Sequence, residues 1–363
     1  MKVVFRTDAS IQIGTGHVMR CLTLADALAA NGAQCRFICR EHPGNLIEYI
    51  RNKGHAVHSL PMGTGADADL AHSAWLGTTQ AQDAQSCAPL MATLQPDWLV
   101  VDHYALGARW ESPLAMHCGQ TMVIDDLADR PHACSLLLDQ TFGRQADDYR
   151  PLVPDNCILL CGSSYALLRP EFAALRPYSL QRRTQPKLKH LLITLGGVDK
   201  DNITAQVLNT LRTSPLPVDC TITVVMGSTA PWLADVQQQA QSMPWPTTVC
   251  VGSSNMAQLM ADSDLAIGAA GATSWERCCL GLPTVMMALA DNQRYAAGLL
   301  EKAEAARILQ LDKNLPSQLS RLIDEVTLSE RLLSCLTEGA SVITDGEGVR
   351  RIADYLLRDI MHD

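Results

Sequence analysis

The opening of the chain constrains its fold more than any other stretch. A short apolar run, Val3-Val4-Phe5, reads as a buried strand. It gives way at Asp8 to the loop Asp8-Ala9-Ser10-Ile11-Gln12-Ile13-Gly14-Thr15-Gly16. An amphipathic helix follows, with Val18, Leu22, Ala25 and Ala29 on one face and Asn31-Gly32 as its stop signal. A buried strand feeding directly into a helix predicts an open α/β sheet. In such sheets ligands bind beyond the carboxyl ends of the strands. His17 falls there, at the start of the first helix.

The alternation continues along the chain. Further strands are expected at Gln34 to Cys39, Ala56 to Leu60, Trp98 to Val101, Gln120 to Ile124, Leu136 to Leu138 and Cys157 to Cys161. Helices are expected at 45–52 and over a segment containing Ala81 to Leu94, with 62–80 as a loop passing into it. Two of the strands end in acidic residues, at Asp102-His103-Tyr104 and at Asp125-Asp126. Residues 169–189 hold several prolines and a basic cluster of Arg182, Arg183, Lys187 and Lys189, and read as a solvated linker. A second alternating set starts at His190 to Leu195, followed by Gly196-Gly197. Its helices include one from Ser254 to Ala261, and the tail from Gly348 to about Met361 reads as a helix. The expected division is an N-terminal domain 1–168, a linker 169–189 and a C-terminal domain 190–347. Helix 348–363 is expected to pack back on the first domain.

The chain has 363 residues, suited to two domains, and a net charge of −9, which disfavours nucleic acid as a partner. Its 13 cysteines show no C-x-x-C spacing, so no metal site is expected, and many free thiols fit a cytoplasmic location. The N-terminus enters a strand without a basic-then-apolar leader, and no apolar run reaches membrane-span length, so no stable membrane association is expected.

Gly14-x-Gly16 is not a dinucleotide fingerprint. A third glycine would fall at Met19, and the second strand ends near Arg40 rather than at an acidic residue. No Walker A pattern occurs, and no cofactor is expected. The glycines instead let a ligand approach the backbone closely. The positive end of the helix dipole disfavours a second positive charge on His17, which keeps the imidazole available as a base. Asp8 or Ser10 could orient its other nitrogen; Asp8 could equally be a cap. A second candidate site spans Gly268 to Glu276, where a strand ends in a small-residue turn before a helix. Free N–H groups there suit a diphosphate, and Glu276 could accept both hydroxyls of a ribose.

The motifs in the second half are Leu195-Gly196-Gly197, Met256-Ala257-Gln258-Leu259-Met260, Gly271-Ala272-Thr273-Ser274-Trp275-Glu276, Gly281-Leu282-Pro283 and Asp291-Asn292-Gln293. They resemble the nucleotide lobe of MurG-type enzymes. Arg6-Thr7-Asp8-Ala9-Ser10, Ile13-Gly14-Thr15-Gly16-His17-Val18-Met19-Arg20-Cys21, Asp102-His103-Tyr104, Ile124-Asp125-Asp126-Leu127 and Tyr165 to Phe172 resemble the PseG family of UDP-sugar hydrolases. The resemblance implies a GT-B fold, with two Rossmann-like α/β/α domains facing across a cleft. It implies hydrolysis of UDP-2,4-diacetamido-2,4,6-trideoxy-β-L-altropyranose to UDP and the free amino sugar with inversion. The setting it implies is pseudaminic acid biosynthesis and flagellin glycosylation. By the same resemblance His17 is the general base; Asp8 stands as a second catalytic candidate from its place in the loop. Gly14, Gly16, Arg20 and Tyr104 are expected around the sugar. Gly197, Met256, Gly271, Ala272, Thr273, Ser274, Glu276, Asn292 and Gln293 are expected around the nucleotide. A transferase of the same fold and a non-catalytic UDP-sugar binder are the competing readings.

Overall fold

A computed structural model of the protein describes residues 1–252 and 255–358. Its described residues divide into two compact units, one of residues 1–167 with 347–358 and one of residues 168–346.

In the first unit the elements run β1 (Lys2–Thr7), α1 (Gly16–Ala30), β2 (Gln34–Arg40), α2 (Ile47–Asn52), β3 (Ala56–Leu60), α3 (Gln80–Leu94), β4 (Trp98–Asp102), α4 (Ala108–Leu114), β5 (Gln120–Ile124), β6 (Leu136–Asp139) and β7 (Ile158–Cys161). All strand pairs are parallel, in the order β3-β2-β1-β4-β5-β6-β7. The order reverses between β1 and β4, and the crevice outside their carboxyl ends is the fold's natural ligand position. Both faces of the sheet are covered, which explains the continuous apolar runs. Val3, Phe5 and Val100 pack with Val18, Cys21, Leu22, Ala25 and Leu28 of α1 on one face. Val4, Leu99 and Val101 pack with Cys87 and Met91 of α3 and Trp110 of α4 on the other.

The second unit holds α5 (Pro170–Arg182), β8 (His190–Thr194), α6 (Ile203–Leu211), β9 (Thr221–Met226), α7 (Leu233–Ala240), β10 (Thr247–Val251), α8 (Met256–Asp262), β11 (Leu265–Ala269), α9 (Thr273–Cys279), β12 (Thr284–Met287), α10 (Arg294–Lys302), β13 (Arg307–Leu309), α11 (Leu315–Leu328) and α12 (Glu330–Ser341). Its parallel sheet has the order β10-β9-β8-β11-β12-β13, with the reversal between β8 and β11. The chain then returns to the first unit as α13 (Gly348–Arg358). There Val349, Ile352, Ala353 and Leu356, one helical face, join the cluster around α1. Fully burying each of the larger three contributes roughly 1.5–3 kcal/mol.

Two expectations need correction. Residues 169–189 are not a bare linker: Pro170–Arg182 form α5, which packs on α8 and α9. Pro170 sits in the first turn, where no N–H is needed, and Arg169 before it is extended, as a residue preceding proline must be. The basic cluster is not uniformly solvated either. Arg183 is buried and donates to the carbonyls of Met260 (3.0 Å), Ser263 (2.7 Å) and Leu280 (3.0 Å). Its guanidinium thereby closes orphan carbonyls at the C-terminal ends of α8 and α9. Arg182 pairs with Asp264 at 2.6 Å. The expected helix from Ser254 starts on a residue outside those described; its described part begins at Met256. The tail helix is described to Arg358, and residues 359–361 of that expectation lie outside the described set.

Candidate active site

His17 is the second residue of α1, and Thr15 precedes the helix without a side-chain cap. The loop before it closes on itself: Ser10 and Gly14 form an isolated bridge, with Gly14 N–H donating to Ser10 O at 2.8 Å. Gly14 has φ of +82°, which a side chain would strain. At Gly16 the φ is ordinary and open space lies where a Cβ would go, as close ligand approach requires.

The sequence reading set Asp8 or Ser10 beside His17. Neither is there. Ser10 Oγ accepts from the N–H groups of Gln12 (3.1 Å) and Ile13 (2.9 Å). Asp8 is fully buried, pairs with Arg6 at 2.8 Å and accepts from Arg40 N–H at 2.6 Å. Burial alone would raise its pKa, but Arg6 overrides that and holds it well below the usual carboxylate range. Its second oxygen faces His103 Nε2 at 3.4 Å and His42 Nε2 at 3.6 Å, too long for firm hydrogen bonds. Arg6 and Arg40 in turn both bind Asp83 of α3. Asp8 therefore belongs to a buried ionic cluster on the α3 face of the sheet.

The residue that meets His17 is Asp102, the last of β4. His17 Nδ1 lies 2.6 Å from Asp102 Oδ1. Burial opposes the charge on Asp102, but Arg20 and then His17 hold its pKa well below the carboxylate range. An ionised carboxylate only accepts, so Nδ1 carries the proton, and in the neutral ring Nε2 presents a lone pair. Arg20, one helical turn on, donates to both oxygens of Asp102 at 2.7 Å and to Asp126 Oδ2 at 2.7 Å. Tyr104 O–H donates to the same Asp126 oxygen at 2.7 Å, and its ring meets that of His17 edge-on with centroids 4.5 Å apart. Arg20 and Tyr104, expected beside the sugar, are thus brought next to His17 through Asp102 and Asp126. Asp125 lies deeper, held by Arg130 at 2.9 Å and Tyr149 O–H at 2.8 Å.

In the second unit, β11 ends at Ala269 and the turn Ala270-Gly271-Ala272 opens α9. Arg277 lies under this turn, 1 % exposed. It donates to Thr273 Oγ1 (3.0 Å), Ser274 Oγ (3.2 Å) and Ala269 O (2.6 Å), so both hydroxyl hydrogens are free to point elsewhere. Gly268 makes room for it: a Cβ there would lie 2.6 Å from Arg277 Nη1. Among the described residues no carboxylate pairs with Arg277. Burial lowers its pKa to about 10. Glu276 is half-buried and its carboxylate has no partner among the described residues; burial raises its pKa to about 7, against Arg169 and Arg277. Gln293 lies beside Gly271 and accepts from Leu289 N–H at 2.9 Å. Gly197 O accepts from Gly227 N–H at 3.0 Å, a tight packing of the loops after β8 and β9. Met256 is half-buried at the start of α8, and Asn292 is exposed. Among the described residues no group of three or more His, Cys, Asp or Glu side chains is arranged to hold a metal, and no helix is long and apolar enough to cross a membrane.

Two doubly wound parallel units of this order define a GT-B fold. Solved structures agree: MurG of Acinetobacter baumannii superposes with a TM-score of 0.71 at 17% identity, covering 98% of this chain and 99% of that one. UDP-GlcNAc 2-epimerase of Neisseria meningitidis superposes with a TM-score of 0.59 at 12% identity, covering 99% and 100%. The model of the glycosyltransferase family 28 C-terminal domain matches residues 190–340. The chain is 28% identical over 302 residues to the UDP-2,4-diacetamido-2,4,6-trideoxy-beta-L-altropyranose hydrolase of Campylobacter jejuni, covering 83% of this chain and 97% of that protein. It is 29% identical over 213 residues to the spore coat polysaccharide biosynthesis protein SpsG of Bacillus subtilis, covering 57% and 60%. The chain is thus similar to a UDP-sugar hydrolase over most of its length, and its second half matches the glycosyltransferase family 28 domain.

Proposed function

We propose that this protein hydrolyses UDP-2,4-diacetamido-2,4,6-trideoxy-β-L-altropyranose, breaking the bond between the anomeric carbon and the diphosphate oxygen. His17 Nε2 takes a proton from water as the water oxygen attacks the anomeric carbon. The electron pair of the broken bond leaves with UDP, and attack opposite the leaving group inverts the centre. Protonation of a poor leaving group, which ordinary glycosidases need a second carboxyl group to achieve, is not required for a diphosphate. The observation that carries the reading is the His17–Asp102 pair at 2.6 Å, locked by Arg20, because it leaves Nε2 as an oriented base. The second unit supports the nucleotide end: the Thr273 and Ser274 hydroxyls above a buried guanidinium suit the phosphates, and unpaired Glu276 suits the ribose. The Campylobacter hydrolase supports the same substrate.

The match to a glycosyltransferase domain favours a second reading, in which His17 deprotonates an acceptor hydroxyl. One experiment separates them: phosphorus and proton NMR of the nucleotide sugar with the protein and no acceptor. The expected result is release of UDP and an inverted free sugar. A nucleotide sugar that persists until an acceptor is added would establish the transferase. One that persists throughout, while UDP binds, would leave a binding protein.

A further inference from the structure

The stretch 62–80, which reads as a plain loop, carries side chains to the base. A short turn at Ser73–Leu76 brings His72 and Trp75 against Tyr104. Trp75 lies near-parallel to Tyr104, at 26° with centroids 5.8 Å apart. His72 fills the angle between them, 4.3 Å from Trp75 and 5.4 Å from Tyr104. Tyr104 in turn abuts His17.

We infer that His72 and Trp75, with Tyr104, form the wall that receives the glycosyl group and sets its specificity; the inference rests on the hydrolase reading above.

Three observations carry it. First, among the described residues Trp75 is in neither hydrophobic cluster that packs on the first sheet, although its neighbour Leu76 is. Both rings are half-buried, so they do not serve the core. Second, the indole N–H and the His72 ring nitrogens make no hydrogen bond among the described residues. The wall therefore offers apolar faces with unused polar edges, the composition of a small-molecule site. Third, the loop is fastened. Arg109 binds Asp69 at 2.7 Å and Asp67 at 3.0 Å, and Asp67 also accepts from Gln80 N–H at 2.7 Å. Leu70 N–H donates to Ser73 Oγ at 3.1 Å, and Leu76 is buried. A loop held this way loses less freedom on binding than a free one.

The occupant follows from the base. A general base lies within hydrogen-bond reach of the proton it takes, so the attacked carbon comes close to His17 Nε2 and the sugar ring lies beside Tyr104. A sugar with a methyl in place of a hydroxyl and with acetamido groups presents apolar patches and amide acceptors. Those match aromatic faces edged by an indole N–H.

The test is the kinetics of Trp75→Ala, Trp75→Phe and His72→Ala with the diacetamido nucleotide sugar, alongside inhibition by UDP. Trp75→Ala should raise KM about tenfold, Trp75→Phe should recover most of it, and the inhibition constant of UDP should not move. An unchanged KM in Trp75→Ala overturns the wall, as does an equal rise in the UDP constant. Calorimetric binding in a His17→Leu background keeps this separate from the reaction. If the wild type shows no turnover the hydrolase reading fails, and the wall is judged by whether Trp75→Ala weakens nucleotide sugar binding about tenfold while sparing UDP.

Discussion

The two units end their sheets in opposite styles. At the carboxyl edge of the first, charges are bound to one another: His17, Arg20, Asp102, Asp126 and Tyr104 form one chain of contacts, and Arg6, Asp8, Arg40 and Asp83 another. At the corresponding edge of the second, the charges are left over. Arg277 has no carboxylate and Glu276 has no cation within pairing distance among the described residues. A network closed on itself fixes geometry in advance, as catalysis demands, and costs little to keep in place once formed. A buried guanidinium without a carboxylate, such as Arg277, is a costly arrangement that an anionic ligand would relieve. On the proposed reading, chemistry falls to the first unit and nucleotide binding to the second.

Breaking the first network should have the larger effects. His17→Leu removes the base, and the hydrolysis rate should fall about a thousandfold. Asp102→Asn keeps the shape but allows the amide to turn its NH₂ toward Nδ1, which puts the imidazole proton on Nε2. The rate should fall about a hundredfold, and a rate within twofold of wild type would detach Asp102 from the base. Glu276→Gln sharpens the other side. A carboxylate that accepts two ribose hydroxyls must be ionised, and in the free protein burial raises Glu276 to about 7. Binding therefore releases a proton at low pH. Uridine, which lacks titrating phosphates, should bind more tightly as pH rises from about 6 to about 8 and then level off. In Glu276→Gln the affinity should drop about tenfold and lose this slope. A wild-type affinity flat with pH would remove Glu276 from the ribose.

His17 was legible because a strand, a glycine loop and a helix are all local signals. Its partner was not, because that depends on which strand lies beside β1. Side-chain alternation gives the physical reason. Val3 and Phe5 face α1, whereas Val4 and Arg6 face α3, and Asp8 keeps the parity of Arg6. Asp102 keeps the parity of Trp98 and Val100, which face α1, and parallel pairing sets Asp102 opposite Thr7. Asp8, close by in sequence, thus points away from His17, and a carboxylate 85 residues distant points to it. Two α/β units were legible from the alternation itself, and the GT-B fold from the resemblance carried by the motifs. Helix α5 was missed because its prolines read as breakers, although the first of them occupies the one turn where proline is favoured. His72 and Trp75 were missed because their stretch has no periodicity; the anchoring carboxylates Asp67 and Asp69 act through Arg109, some 40 residues on.

The division of labour is tested most directly by the calorimetric affinity of His17→Leu for UDP, beside that of the wild type. If the first unit carries the chemistry and the second the nucleotide, the two dissociation constants agree within about twofold. A UDP affinity about tenfold weaker in His17→Leu would contradict it, because the base would then belong to the nucleotide site.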